Sequence, residues 1–274
     1  MIYLLILLLI VICLIVLYLF LIKPNTGRKS RMKPFEEVFI AHRGLFNNKT
    51  NAPENSMPAF RKAVQSGYGI ELDIQLTKDH QLVVFHDASL KRMCKVEKIL
   101  TDCTYKELQQ YTLAKSNENI PLFEDVLNIV DGKVPMVIEI KPEGDCIETA
   151  RMLAKRMESY KGIYCMESFH PGVVGWYRKH QPEVLRGQLS TNFKKNKIVC
   201  TGLQHVVLSN LLLNFYAKPD FIAYNYKYAD EFSYRLCRKL YDVENVAWTI
   251  RSQEQLEKAQ EIFDVFIFDS FIPK

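Results

Sequence analysis

Gly69-Ile70-Glu71-Leu72-Asp73-Ile74 and, further along, Val137-Ile138-Glu139-Ile140-Lys141 carry one pattern, in which charged residues alternate with β-branched or leucine residues. At the strand period of two, Glu71 and Asp73 point to one face, while Ile70, Leu72 and Ile74 point to the other. Both faces of such a strand look buried, which is the situation in a barrel of parallel strands, where one face is the interior. Three more polar clusters share the context: His42-Arg43-Gly44, Glu54-Asn55-Ser56 and His86-Asp87. The five clusters accompany strand-like segments at Val38–Ala41, Gly69–Ile74, Leu82–Phe85 and Met136–Ile140, and strand ends are where such a barrel displays its catalytic groups.

The rest of the chain fits that frame. Strands are expected at Val38–Ala41, Gly69–Gln75, Val134–Ile140, Gly162–Glu167, Val184–Gln188, Phe221–Tyr224, Val246–Ile250 and Val265–Phe268. Helical stretches fall between most of them, at Ser56–Gln65, Cys146–Tyr160, Gly172–His180, Asp230–Tyr241 and Gln253–Ile262. The expected fold is therefore α/β, a (βα)8 TIM barrel over residues 37–274. Between Gln75 and Val134 an extra strand, Gln81–Phe85, and a helix, Leu122–Val130, mark a small insertion after the second strand, of the kind that shapes a cleft. Lys194–Ala217 fits either a helix with an irregular strand or a second insertion.

Ile2–Ile22 is an uninterrupted apolar run, long enough to cross a hydrocarbon core of roughly 30 Å as a helix. A cleaved signal peptide would account for it too, but a positive n-region and a small-x-small cleavage site are missing and the run exceeds an h-region. The reading is a single transmembrane helix, residues 2–22, followed by a basic juxtamembrane linker, residues 23–36. Lys23, Arg28, Lys29, Arg31 and Lys33 precede the first acidic residue, Glu36. By the positive-inside rule this flank and the domain behind it are expected in the cytoplasm. The collar is either a topology signal alone or also a contact for anionic headgroups.

The chain of 274 residues has a formal charge of +5, and setting the collar aside leaves 31 basic residues against 31 acidic ones. A neutral domain argues against nucleic acid as a partner. Seven scattered cysteines, an odd count with no Cys-x-x-Cys, indicate neither zinc nor a redox motif and suit a reducing compartment.

Two carboxylates inside a barrel are costly without a counter-charge, and oxygen ligands favour Mg²⁺ or Ca²⁺ over zinc. Glu71, Asp73 and Glu139 form a plausible ligand set for one divalent cation, with Glu54 a fourth polar group nearby. The competing reading is a salt-bridge network among these carboxylates, Arg43 and Lys141. Cleaving a phosphodiester needs a base for the attacking oxygen and an acid for the departing one, roles His42 and His86 suit. Arg43 and Lys141 would hold phosphate oxygens, and Gly44 would let the backbone approach the ligand. His80, His170, His180 and His205 are assigned to structural roles, and no glycine-rich nucleotide loop is present.

In these motifs the chain resembles the glycerophosphodiester phosphodiesterase family. His-Arg-Gly at 42–44, Glu-Asn-Ser at 54–56, Glu-Leu-Asp at 71–73, Val-Val-Phe-His-Asp at 83–87 and Glu-Ile-Lys at 139–141 occur in the family's order. Ser168-Phe169, Ala247-Trp248-Thr249 and Phe268-Asp269-Ser270 also fit, and the likeness extends from Val38 to Pro273. Ser56 stands where Thr is more familiar, and the membrane helix is outside the family core. The resemblance implies a TIM barrel with an insertion after its second strand and a divalent metal on Glu71, Asp73 and Glu139. It also implies His42 and His86 as the acid-base pair, Arg43 and Lys141 on the phosphate, and Trp248 lining the pocket.

The expected activity is hydrolysis of a glycerophosphodiester to an alcohol and sn-glycerol 3-phosphate. A lysophospholipase D-type enzyme acting on lysophospholipids is the variant suggested by the anchor and by aromatics from Phe215 to Tyr228. Outside that class, the same residues would suit a silent lipid-headgroup binding protein or a lyase that leaves a cyclic phosphate.

Overall fold

A computed structural model describes residues 1–197 and 201–274. Among these described residues nine strands occur: β1 Ile40–His42, β2 Gly69–Leu76, β3 Leu82–Val84, β4 Met136–Ile140, β5 Tyr164–Ser168, β6 Leu185–Ser190, β7 Phe221–Asn225, β8 Glu244–Ile250 and β9 Val265–Phe268. Eight are parallel and close on themselves, since β1 pairs with both β2 and β9. The ninth, β3, runs antiparallel against the end of β2 and opens the insertion.

The early helices are α1 Ile2–Ile22, α2 Lys33–Glu36 and α3 Met57–Gln65. The insertion carries α4 Lys91–Cys94 and α5 Tyr105–Leu108 ahead of α6 Phe123–Val130. After them come α7 Cys146–Met157, α8 Pro171–His180, α9 Gly202–Ser209, α10 Asn214–Ala217, α11 Phe232–Leu240 and α12 Gln253–Ala259. The ambiguous stretch from Lys194 to Ala217 thus holds two helices and, among its described residues, no strand.

The two-faced pattern of β2 is realised as its period requires. Ile70, Leu72 and Ile74 pack outward against Phe60 and Ala63 of α3 and Leu153 of α7, in the layer between strands and helices. The opposite face looks into the barrel, whose apolar half is filled by Val137, Cys165, Leu185, Phe221, Val246 and Ile267. Met32 and Phe35, both buried, close the N-terminal end of that interior. Full burial of one such side chain contributes about 1.5–3 kcal/mol. The insertion has a core of its own, built on Phe85, Leu90, Leu100, Leu108 and Ile120.

The last turn of α1 is docked on the barrel. Ile22 is buried, its carbonyl accepts from Asn214 Nδ2 at 3.0 Å, and Tyr241 Oη donates to the Leu19 carbonyl at 2.8 Å. Much of the basic collar is bound to the barrel itself. Arg28 donates to the carbonyls of Pro182 and Glu183 and pairs with buried Asp220 at 3.3 Å. Arg31 reaches Glu183 and Lys29 reaches Asp264, so three of the five cations strap the linker across the N-terminal end of the barrel. Carboxylates and orphan carbonyls at strand starts outcompete solvent for them.

All six cysteines among the described residues are free thiols. Cys200 lies outside the described residues.

Candidate active site

The turn after β1 sets the geometry. Arg43 takes a left-handed φ of 57°, and its amide donates to Glu71 Oε2 at 3.0 Å. Gly44 follows at φ 79°, and a Cβ there would meet the Ala59 carbonyl carbon at 2.8 Å. The glycine therefore serves the close packing of this turn on α3. Asn55, also left-handed at φ 55°, donates to Asp73 Oδ2 at 2.8 Å. Ser56 caps α3 through the Ala59 amide, a task any small hydroxyl performs, which explains why Ser serves where Thr is usual.

Glu71, Asp73 and Glu139 converge inside the C-terminal end of the barrel. One ligand oxygen from each lies within 4.8 Å of the others, and all three side chains are buried. Glu167, which pairs in register with Glu139 on the next strand, adds a fourth carboxylate that the sequence did not single out. Its Oε2 is buried without a hydrogen-bond partner. Arg43 and Lys141 oppose this charge: Arg43 Nε lies 3.4 Å from Asp73, and Lys141 Nζ lies 2.8 Å from Glu139 and 3.4 Å from Asp73. Four buried carboxylates thus face two cations, one of them shared with Glu54, so the cluster has an excess of acidic groups.

The titration directions agree. Burial and the neighbouring carboxylates Asp73 and Glu139 push Glu71 well above the usual carboxylate range, and burial with Glu139 does the same to Glu167. Burial also raises Asp73, but His86, Lys141 and Arg43 outweigh it and hold that carboxyl down. Lys141 stays charged because Glu139 and Asp73 more than offset its burial. A hard, all-oxygen donor set with orphaned buried oxygens fits a divalent cation, and Glu71, Asp73 and Glu139 could hold it. Glu54 is not one of the set. One oxygen accepts from Arg43 at 2.7 Å and from Arg92 at 2.6 Å, and the other from Arg92 at 2.8 Å and Asn48 at 2.9 Å. Burial works against its ionisation, yet these partners hold it down at about 2.

His42 and His86 stand across the same cavity, each backed by a carboxylate. His42 Nδ1 is 2.9 Å from Asp269 Oδ2, and His86 Nδ1 is 2.6 Å from Asp87 Oδ1. Ionised carboxylates only accept, so each Nδ1 carries the proton, and both rings line the cavity. His42 Nε2 lies 3.9 Å from Glu71. Burial and the Arg43 charge push His42 down to about 4, against the pull of Asp269, so the imidazole is neutral near pH 7.

Two arginines that the sequence did not single out hold the carboxylates. Arg251 Nε donates to Asp269 at 2.9 Å, and Arg92 of the insertion donates to Asp87 Oδ2 at 2.6 Å while its other nitrogens bind Glu54. Asp87 and Asp269 stood in the motifs His86-Asp87 and Phe268-Asp269-Ser270, but nothing in the sequence paired each with a particular histidine.

The cavity holds about 140 Å³ and is lined by His42, Arg43, Glu71, His86, Glu139 and Glu167 on its polar side and by Phe169, Leu189 and Trp248 on its apolar side. Phe169 and Trp248 meet edge to face at 5.6 Å, and Trp248 Nε1 is a buried donor without a partner. Lys141 sits behind the lining, among the carboxylates. His80, His170, His180 and the aromatics from Phe215 to Tyr228 are not part of the lining; Phe221 and Tyr224 are core residues, and Phe215 packs on Phe20 of α1.

Fold and site together define a TIM-barrel protein with a buried acidic pocket and two carboxylate-backed histidines at the C-terminal end of its strands. A sequence model of the glycerophosphoryl diester phosphodiesterase family matches residues 42–265, and the chain belongs to that family. It is 35% identical over 157 residues to a glycerophosphodiester phosphodiesterase of Bacillus altitudinis, 53% of this chain and 63% of that one. Against a human lysophospholipase D it is 32% identical over 158 residues, 52% of this chain and 49% of that one. The chain thus spans between about half and just under two thirds of the length of these relatives. Among solved structures, an Oleispira antarctica phosphodiesterase in complex with the product sn-glycerol-3-phosphate superposes with a TM-score of 0.68 at 19% identity, covering 85% of this chain and 92% of that one. A glycerophosphodiester phosphodiesterase of Thermotoga maritima gives 0.64 at 24% identity, covering 85% and 95%.

Proposed function

We propose that this chain hydrolyses glycerophosphodiesters to an alcohol and sn-glycerol 3-phosphate, with His42 and His86 as its acid-base pair. The observation that carries the reading is the pair of imidazoles lining one cavity, each held at Nδ1 by a carboxylate, beside three buried carboxylates that could hold a cation. His42, neutral because it is buried, is suited to take the proton of the attacking water on Nε2, and His86, when Nε2 as well as Nδ1 carries a proton, to deliver the Nε2 proton to the alcohol oxygen as its bond to phosphorus breaks. Arg43, on the lining, and Lys141, behind it, supply positive charge to the phosphoryl oxygens. Trp248 Nε1 and the Phe169 face border the space left for the glycerol or its substituent. Mg²⁺ or Ca²⁺ on Glu71, Asp73 and Glu139 would supply Lewis acidity and charge neutralisation when bound.

We further read α1 as an uncleaved membrane anchor with the barrel on the cytoplasmic side. The docking of Tyr18 to Ile22 into the barrel supports the anchor, since a cleaved leader has no reason to share the core. The basic flank after the helix supports the orientation. Lysophospholipase D-type hydrolysis is a second reading, favoured by the anchor and by the similarity to a protein of that name.

The test is turnover by the full chain in detergent of glycerophosphocholine, glycerophosphoethanolamine and lysophosphatidylcholine, after EDTA and after restoring Mg²⁺ or Ca²⁺. Chelator-sensitive release of glycerol 3-phosphate is expected. Lysophosphatidic acid as the main product would move the protein to the second reading. Absence of product from metal-loaded, folded protein would refute both, and an accumulating cyclic phosphate seen by phosphorus NMR would replace hydrolysis by a lyase reaction.

A further inference from the structure

Helices α1 and α11 meet through side-chain contacts that follow the same order along both. Tyr18 Oη lies 2.5 Å from Ser233 Oγ, and one turn later Cys237 Sγ lies 3.5 Å from the Ile22 carbonyl, so four residues on one helix match four on the other. The chain then passes Asn25 to the Pro219 carbonyl, before β7, and crosses the N-terminal end of the barrel. Helix α11 follows β7, so it descends from the catalytic end, and its first turn is at Phe232 and Ser233. Everything in α1 before Tyr18 consequently projects past that turn, on the side where the strand ends carry His42, His86 and Glu139.

The projecting part is Ile2–Leu17, exposed along its whole length. At about 1.5 Å per residue those 16 residues reach roughly 24 Å. A hydrocarbon core is roughly 30 Å thick, and the free segment enters it directly above the barrel. Tyr18–Leu21, where that segment leaves the barrel, and the residues that flank them then lie at the boundary of the bilayer.

What flanks them suits that layer. Phe232 is 61% exposed and stacks on the Tyr18 ring at 6.3 Å. Asn210, at the end of α9, is bound by Ser233 Oγ at 2.6 Å, and the outer face of α9 presents Leu203 and Val206, 74% and 54% exposed. The loop leading from β6 carries Lys194, Lys195 and Lys197, all exposed, with Lys195 shared by Glu231 at 2.8 Å. That loop also touches the cavity wall, because Phe193 meets Phe169 edge to face at 5.9 Å. Apolar side chains beside lysines at the end of a membrane helix match a headgroup layer containing anionic lipid.

We propose that the catalytic end of the barrel faces the bilayer, with the rim of Leu203, Val206, Phe232 and the three lysines lying in the headgroup layer. The proposal rests on the reading of α1 as a membrane span. It gives the site a source of substrate: a glycerophosphodiester carrying an acyl chain meets the cavity from the lipid side, while the N-terminal end, strapped by Arg28 and Arg31, faces the aqueous phase.

The experiment places a single new indole at the rim or at the opposite end of the full chain, by Leu203→Trp, Phe232→Trp or Glu183→Trp. Each variant is reconstituted in vesicles of phosphatidylcholine and phosphatidylglycerol, with part of the phosphatidylcholine brominated near the top of its acyl chains. Emission is read against the parent, whose Trp176 and Trp248 give the background. The two rim variants are expected to lose several-fold more of the added emission than Glu183→Trp. Equal quenching at both ends, or stronger quenching at Glu183→Trp, overturns the orientation. An alkaline carbonate wash separates the two layers of the argument: protein released by the wash overturns the anchor and the orientation with it, whereas retained protein with an unquenched rim overturns the orientation alone.

Discussion

Arg92 is the residue through which the insertion reaches the chemistry, and Arg92→Ala tests the link. Its guanidinium makes four charge-assisted hydrogen bonds, two to Glu54 at 2.6 and 2.8 Å and two to Asp87 at 2.6 and 3.0 Å. Hydrogen bonds to charged groups contribute about 1.5–3 kcal/mol each when shielded. The side chain is 46% exposed, however, and Glu54 keeps Arg43 and Asn48 while Asp87 keeps His86. Solvent screening and the remaining partners reduce the stability loss to about 1–3 kcal/mol in all. The rate should suffer more. Asp87 fixes the His86 ring, Arg92 fixes Asp87, and misplacing a catalytic group by about 1 Å lowers turnover on the order of a hundredfold. We therefore expect kcat to fall about ten- to hundredfold with KM little changed, because Arg92 does not line the cavity. Arg92→Lys keeps a charge without the fork and should recover stability more than rate. Lys91→Ala, which breaks only the exposed pair with Glu97, is the silent control. Steady-state kinetics on glycerophosphocholine with a thermal melt of each variant decide the matter. An Arg92→Ala protein that melts somewhat lower yet retains the parent kcat would refute the positioning role.

Other outcomes follow from the same geometry. His42→Ala should leave the melting transition intact and lower kcat on the order of 10²–10⁴-fold, and so should Glu71→Gln in saturating metal. Near-parent turnover in either, on folded protein, removes that residue from the mechanism. Adding Mg²⁺ or Ca²⁺ to chelated protein should raise the melting temperature, by about 2.7 kcal/mol of stability at about 100 times Kd, and Glu139→Gln should weaken that response. A shift of equal size in Glu139→Gln would place the ion elsewhere. Glu244, at the start of β8, has both carboxylate oxygens buried without a hydrogen-bond partner, and burial with Asp264 and Glu36 nearby pushes it up from 4.5 to about 8. Its folded pKa exceeds its unfolded one, so its contribution is complete below about pH 4.5 and is lost as pH rises through about 8. Parent protein should then lose stability between these limits relative to Glu244→Gln, and denaturant titrations in which the difference stays constant with pH would contradict it.

How much of this was legible in advance depends on what kind of information each feature carries. Alternation in Ile70 to Ile74 and in Val137 to Lys141 is a local property, and it sufficed to place the carboxylates inside a parallel barrel, with every expected strand found within two residues or so of its observed ends. The apolar run before Lys23 is local as well. The partners of the charges are not. Glu54 was open to metal binding until its oxygens were found on Arg43 and Arg92. Nothing local placed Ala59 against Gly44. Glu167 and Arg251 are ordinary residues in sequence, Asp269 was a motif residue without a known partner, and nothing in the collar named Asp220 and Glu183 as its partners. The sequence by itself determined the barrel, the family and the residues that bear the chemistry, because periodicity and motif order are written along the chain. Only the tertiary structure decided which charges neutralise one another, which carboxylate locks each histidine and which end of the barrel the collar straps. Those depend on distances between residues up to 227 positions apart, as His42 and Asp269 are, and closing the barrel is what sets them.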